Sequence, residues 1–67
     1  ADIAFDDLCT LLTYYGFSLR VRGSHHLFSK SGIIEKINLQ RDGSDAKAYQ
    51  VRQVRNIILK HRLAKEE

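Results

Sequence analysis

Proline, tryptophan and methionine are missing from this chain of 67 residues, and cysteine occurs once, at Cys9. A single cysteine cannot close an intramolecular disulfide, which excludes a disulfide-stapled secreted module. No run of 18 apolar residues is present, and no charged stretch leads into an apolar one. Neither a membrane-spanning helix nor a secretory leader is therefore expected, and a soluble, cytoplasmic protein is. The three histidines, His25, His26 and His61, lack the spacing of a zinc site, so no metal site and no cofactor is expected. Internal repeats and linkers are absent. A chain this short buries only about 60% of its unfolded surface, which leaves no room for a deep enclosed pocket. Any site should be shallow and open, better suited to a polymer than to a small metabolite.

What is present describes a globular domain with a basic side. Hydrophobic residues make up 43% and charged residues 28%, a balance that excludes disorder. The net charge is +3 and the pI about 9.3. Up to residue 40, Arg20, Arg22, Lys30 and Lys36 balance Asp2, Asp6, Asp7 and Glu35. From residue 41 to 65, seven basic residues face only Asp42 and Asp45. Such an excess is either a solvated helix face or a patch for a polyanion.

Residues 4–15 are predicted to form an amphipathic helix. Phe5, Leu8, Cys9, Leu12 and Tyr15 recur at offsets of three and four, which places them on one face. Asp2, Asp6 and Asp7 stand where carboxylates meet the positive end of the helix dipole, and Gly16 can take the left-handed conformation that closes the helix. Cys9 reads as a small core residue rather than a nucleophile. Residues 17–22 then alternate, with Phe17, Leu19 and Val21 pointing one way and Ser18, Arg20 and Arg22 the other. Gly23-Ser24 makes a hairpin turn, a second strand runs over 25–30, and the apolar, β-branched run 33–39 makes a third. Residues 40–47 are polar and read as a loop. Val51, Val54, Ile57, Ile58 and His61 restore the helical spacing and predict a helix over 48–63, with Arg52, Arg55, Lys60 and Arg62 mostly off its apolar stripe. Lys65-Glu66-Glu67 reads as a frayed tail. The predicted fold is α+β in the order α-β-β-β-α, with a three-stranded antiparallel sheet and both helices on one face. It forms a single domain over 1–67, with its core in about 4–63. That is the topology of the double-stranded RNA-binding domain, and it leaves the other sheet face open.

Within this frame the segment Arg20-Val21-Arg22-Gly23-Ser24-His25-His26-Leu27-Phe28 gathers two arginines, a turn and two histidines. Phe28 anchors the second strand in the core, so period two puts His26 on the core side and His25 on the opposite one, with Leu27 and Ser29. A solvent-facing histidine beside fixed positive charge suits RNA cleavage. The ribose 2′-OH is an internal nucleophile, and the protein must move protons and stabilise charge on the phosphoryl oxygens. Arg20, Arg22 and Lys30 are the candidate phosphate contacts, and the backbone amides around Gly23 and Ser24 could add hydrogen bonds. The same residues can equally be the polar end of an ordinary hairpin, and sequence alone makes that the commoner reading. His61, near the end of the second helix, reads as structural, and Ser24 as a turn residue.

The order of these motifs resembles a known family. Phe5-Asp6-Asp7-Leu8, Leu11-Leu12, Gly16-Phe17 and Arg22-Gly23-Ser24-His25-His26-Leu27-Phe28 resemble the N-terminal half of the HicA-type toxins, the toxin components of HicA/HicB toxin–antitoxin pairs. Tyr49-Gln50-Val51-Arg52-Gln53-Val54-Arg55 is similar to the closing helix of that family. The resemblance runs from about Phe5 to Leu63, and the Gly-Ser-His segment, following a helix that ends Gly-Phe and a short strand, is its most specific part. It implies a double-stranded RNA-binding-like fold, metal-independent mRNA cleavage, one essential histidine in the Gly-Ser-His segment, and a HicB-type antitoxin that covers the site. Carried onto this chain the histidine is His25, with His26 the second candidate because some relatives place it one residue later. The chain departs from the family after the third strand. Many members carry a proline there, often followed by a basic residue or histidine, where this chain reads Ile37-Asn38-Leu39-Gln40-Arg41. The expectation is an mRNA endoribonuclease toxin. A non-catalytic RNA-binding or protein-interaction module of the same fold is the alternative.

Overall fold

Both helices stop by the same backbone device. The structure is a computed structural model that describes residues 3–64, with α1 over Phe5–Tyr14 and α2 over Ala48–Lys60. After α1 the Gly16 amide donates to the Thr13 carbonyl at 3.0 Å and the Phe17 amide to the Leu12 carbonyl at 3.1 Å. Gly16 sits at φ 89°, the left-handed residue such a Schellman closure needs. α2 repeats the motif without a glycine. Arg62 donates to Leu59 and Leu63 to Ile58, with Arg62 itself at φ 51°. The helix therefore stops at Lys60, short of the predicted end at residue 63, while Leu63 still packs against the core. Asp2 and Lys65-Glu66-Glu67, read above as a dipole partner and a frayed tail, lie outside the described residues.

Between the helices run β1 (Ser18–Arg22), β2 (His25–Lys30) and β3 (Ile33–Leu39), antiparallel and in the order β1-β2-β3. The element order α-β-β-β-α, with both helices on one face, is the double-stranded RNA-binding-domain topology. The register aligns side chains in rows. Leu19, Phe28 and Ile37 share a row, and Val21, His26 and Leu39 share the next on the same face. Arg20, Leu27 and Asn38 form a row on the opposite face. A bulge between Phe28 and Lys30 shifts the pairing at the far end of the β2–β3 hairpin.

The segment 40–47 is more than a loop. β4 (Arg41–Asp42) and β5 (Asp45–Ala46) form a second, two-stranded sheet around Gly43-Ser44. This hairpin supplies what the start of α1 lacks. The N-cap position is Ala4, whose side chain cannot accept a hydrogen bond, so the Phe5 amide donates instead to the Ser44 carbonyl at 2.9 Å. The Ala46 amide closes the contact on the Ile3 carbonyl, also at 2.9 Å.

The core is one cluster on the helix-facing side of the sheet. Phe5, Leu8 and Leu12 from α1 meet Val54 and Ile57 from α2 over Phe17, Phe28, Ile37 and Leu39. Burial of each such side chain contributes about 1.5–3 kcal/mol before entropy is counted. Cys9 packs at the margin, where burial, followed by the nearby Asp6 carboxylate, pushes its thiol pKa up. Leu19 and Val21 point to the same face by parity yet remain exposed, because the helices cover β2 and β3 rather than β1.

Candidate nucleic-acid interface

The β1–β2 turn sets the site. Gly23 takes φ 58° at the first turn position while Ser24 stays at negative φ, the combination a type II′ turn requires. The two residues flanking the turn, Arg22 and His25, are then paired directly across the strands. Alternation sends both side chains to the face the helices leave open, two positions from the row of Arg20, Leu27 and Asn38.

His25 is exposed but not loose. Its Nδ1 lies 3.1 Å from the Asn38 Oδ1, and the Gln40 amide nitrogen lies 3.1 Å from Nδ1 and 3.3 Å from Nε2. The Asn38 oxygen selects one tautomer. With the proton on Nδ1, that N–H donates to Asn38, while the Gln40 amide nitrogen, nearly equidistant from the two ring nitrogens, rests against the face of the ring. A carbonyl oxygen that fixes the Nδ1 proton leaves Nε2 as the basic nitrogen, the arrangement an acid–base imidazole needs.

Gln40 is in turn held from below. Gln50, on α2, is 1% exposed and is the one buried polar side chain among the described residues. With its amide oriented so that both groups are satisfied, Nε2 donates to the Gln40 carbonyl at 3.1 Å and Oε1 accepts from the Gln40 amide at 3.0 Å. The side chain acts as a short stretch of strand backbone, pairing both main-chain groups of the residue whose own side chain touches His25.

His26 occupies the other side of the sheet. Its ring stands edge-on to Phe5, with centroids 4.9 Å apart at 82°, and its buried Nδ1 has no partner. It also lines a cleft of about 310 Å³ with Gly23, Ser24, Gln40 and Arg41. Arg41 lies over the Phe5 ring at 4.5 Å and pairs with Asp6 at 2.7 Å. His26 is thus a packing residue whose outer edge borders the turn.

The other predicted contacts separate. Arg22 is directly opposite His25, and Arg20 is one row further on. Gly23 and Ser24 form the turn beside the imidazole. Lys30 closes β2 at the opposite end, five residues from His25 and roughly 16 Å along the strand, so it is not brought to the imidazole. Lys36 is the additional cation on the open side, bordering a depression of about 500 Å³ together with Ser18, Arg20, Leu27, Ser29 and Asn38. His61 is part of a separate cluster. Its Nε2 lies 2.8 Å from Glu35 Oε1, and Lys60 Nζ lies 2.7 Å from Glu35 Oε2. The Lys60 ammonium and then the His61 ring hold the Glu35 carboxyl at about 2, well below the usual carboxylate range.

Asn38, Gln40 and Gln50 were not among the sequence candidates. The first two carry a signal, since residues 34, 36, 38 and 40 share the outward parity of β3. Gln50 lies four residues before Val54, on the apolar stripe, where a polar residue marks a buried hydrogen bond. Among the described residues no three His, Cys, Asp or Glu side chains are grouped to hold a metal ion, and no helix is long and apolar enough to cross a membrane. No protein-family model, curated protein or solved structure matches the chain.

Proposed function

We propose that this domain is an RNA-cleaving toxin of the HicA type, a metal-independent mRNA endoribonuclease in which His25 is the general acid or base. The observation that carries this reading is the exposed His25 imidazole, set by Asn38 and Gln40 and standing directly across from Arg22. The motif order of the sequence supports the same reading. His25 Nε2 takes the 2′-OH proton as that oxygen attacks phosphorus. The bond to the 5′-oxygen breaks, water protonates the leaving oxygen, and a 2′,3′-cyclic phosphate remains. Arg22, with Arg20 further along, neutralises the phosphoryl oxygens. Asn38 is a positioning residue. An antitoxin of the HicB type would act by covering this open face.

The test is cleavage of a long single-stranded RNA by the purified chain in excess EDTA, with His25→Ala and His26→Ala in parallel and their folding checked by circular dichroism. Cutting by the parent and by folded His26→Ala, but not by His25→Ala, is the expected result. Full cutting by His25→Ala overturns the assignment. The row of Arg20, Leu27 and Asn38 with Lys36 beside it favours a second reading, a surface that holds RNA without cutting it. RNA bound but left intact by all three proteins, with affinity falling steeply as salt rises, would establish that reading instead.

A further inference from the structure

We infer that the free edge of β1 is a docking strand for an acidic partner protein, which adds an extended segment of alternating apolar and carboxylate residues to the sheet. This goes beyond RNA cleavage and does not depend on it. Three features of β1 converge on that occupant.

The first is backbone geometry. β1 ends the sheet order, and no other described strand pairs with it. In a hairpin with a two-residue turn, the flanking pair exchanges both main-chain hydrogen bonds. Arg22, and by alternation Arg20 and Ser18, therefore direct their N–H and C=O groups toward β2. Leu19 and Val21 direct theirs outward, which presents two donors and two acceptors to an incoming strand.

The second is a burial gradient across the helix-facing rows. Ile37 and Phe28 are 0% and 1% exposed, and Leu19, next in that row, is 46% exposed. In the neighbouring row Leu39 is 0% exposed and Val21 is 53% exposed. The apolar floor of the core thus continues one strand beyond the helices. The residues with outward backbone groups are the same two that present uncovered apolar side chains.

The third is charge. Arg20 and Arg22 project from the opposite side of the strand, both exposed. A strand that pairs with β1 places its own alternate residues beside them. A second copy pairing about a twofold axis at Arg20 would set Arg20 against its own equivalent, a like-charge contact that opposes self-association. Carboxylates at those positions instead complete two cross-strand ion pairs, while the intervening apolar residues cover Leu19 and Val21. RNA can meet the arginines and its phosphates can accept from an outward amide, but it offers no strand of alternating donors and acceptors in register with β1 and no aliphatic side chains to cover Leu19 and Val21. Strand addition to an edge with side-chain pockets on alternate sides is an established mode of peptide recognition.

The probe is an octapeptide alternating valine and glutamate, with one alternating valine and lysine as control. Amide exchange of the full chain is followed by NMR. In the free chain the Leu19 and Val21 amides should exchange faster than those of Arg20 and Arg22. The glutamate peptide should protect Leu19 and Val21 selectively and bind at least about tenfold tighter than the lysine peptide, a difference of about 1.4 kcal/mol. Val21→Pro, which deletes one outward donor and leaves the β2 pairing intact, should weaken binding about tenfold. Arg20→Glu with Arg22→Glu should reverse the preference to the lysine peptide. That swap lies at exposed positions and keeps the test decisive if the proline variant does not fold. Equal binding of both peptides, undiminished binding by folded Val21→Pro, or no binding at about 1 mM overturns the inference. Leu19 and Val21 amides already protected in the free chain would mean that a second copy holds the edge, and would overturn it too.

Discussion

Replacing Gln50 with methionine keeps the length and near-volume of the side chain but removes both hydrogen bonds to the Gln40 backbone. The cost follows from what is left behind. A Gln40 N–H and a Gln40 C=O, paired at 3.0 and 3.1 Å in the parent, would face a thioether that can replace neither bond well. Each orphaned group costs about 1–3 kcal/mol, so the variant should lose roughly 2–6 kcal/mol. A chain of this length has a total stability of about 3–10 kcal/mol, so the loss is a large share of what holds the fold. Urea unfolding followed by circular dichroism reads it as a fall in the midpoint. Gln50→Glu sharpens the test. Its ionised carboxylate can accept from the Gln40 amide but repels the Gln40 carbonyl, whereas the protonated acid satisfies both. The folded state therefore raises the pKa of that carboxyl above about 4.3, and the unfolded state binds fewer protons over the interval between the two values. Relative to the parent, Gln50→Glu should be most stable below about pH 4.3 and lose stability as pH rises through the folded value. Stability of Gln50→Met within about 0.5 kcal/mol of the parent, or a Gln50→Glu difference that does not vary with pH, would refute the reasoning.

Three further outcomes are expected. Asn38 is exposed, so Asn38→Ala should leave the melting curve within about 0.5 kcal/mol, but under the proposed mechanism it should lower cleavage roughly tenfold to hundredfold by releasing the His25 ring. Kinetics on the folded variant check this, and an unchanged rate removes Asn38 from the site. The depressed pKa of Glu35 predicts a contribution to stability that is fully present above about pH 4.5 and lost as pH falls toward 2. In a pH series of urea melts the parent should therefore lose more over that interval than Glu35→Gln does. Arg62→Gly should stabilise the chain by about 1 kcal/mol, because φ 51° is strained for arginine and free for glycine. A melting temperature several degrees higher is the signature.

What the sequence discloses depends on whether a feature is periodic or relational. Strand alternation through Phe28 was enough to separate His25 from His26, and the structure has the first exposed on the open face and the second packed on Phe5. The same alternation indicates the side to which Leu19 and Val21 point, but not that the helices stop short of them, since coverage depends on how elements are placed. β4 and β5 were not legible because two-residue strands carry no period, and Gly43-Ser44 in a polar stretch reads as any loop. Asn38 and Gln40 reach His25 only through the β2–β3 register, which the bulge before Lys30 makes irregular at its far end. The helix stop at Lys60 was hidden for another reason. Its left-handed residue is Arg62, and the glycine that marks the same motif after α1 is missing there.

Among the described residues, a single polar side chain is placed in the core, and its position is informative. A leucine at position 50 would add apolar burial, and Gln40 could in principle have turned its backbone to solvent. Instead Gln50 fixes both main-chain groups of Gln40, and the Gln40 side chain reaches up to the imidazole. Two polar residues thus meet one exposed ring, Asn38 on β3 and Gln40 after it, and Gln50 on α2 holds the backbone of the second. A histidine that merely fills a hairpin end requires none of them, because water satisfies an exposed imidazole at little cost. The arrangement also links stability to the site. Loss of Gln50 should loosen the fold and the His25 environment together, so the ring nitrogens of His25 should change their NMR shifts in Gln50→Met even under conditions where the variant is fully folded. A ring indifferent to that substitution would confine Gln50 to holding the Gln40 backbone and leave the setting of His25 to Asn38 alone.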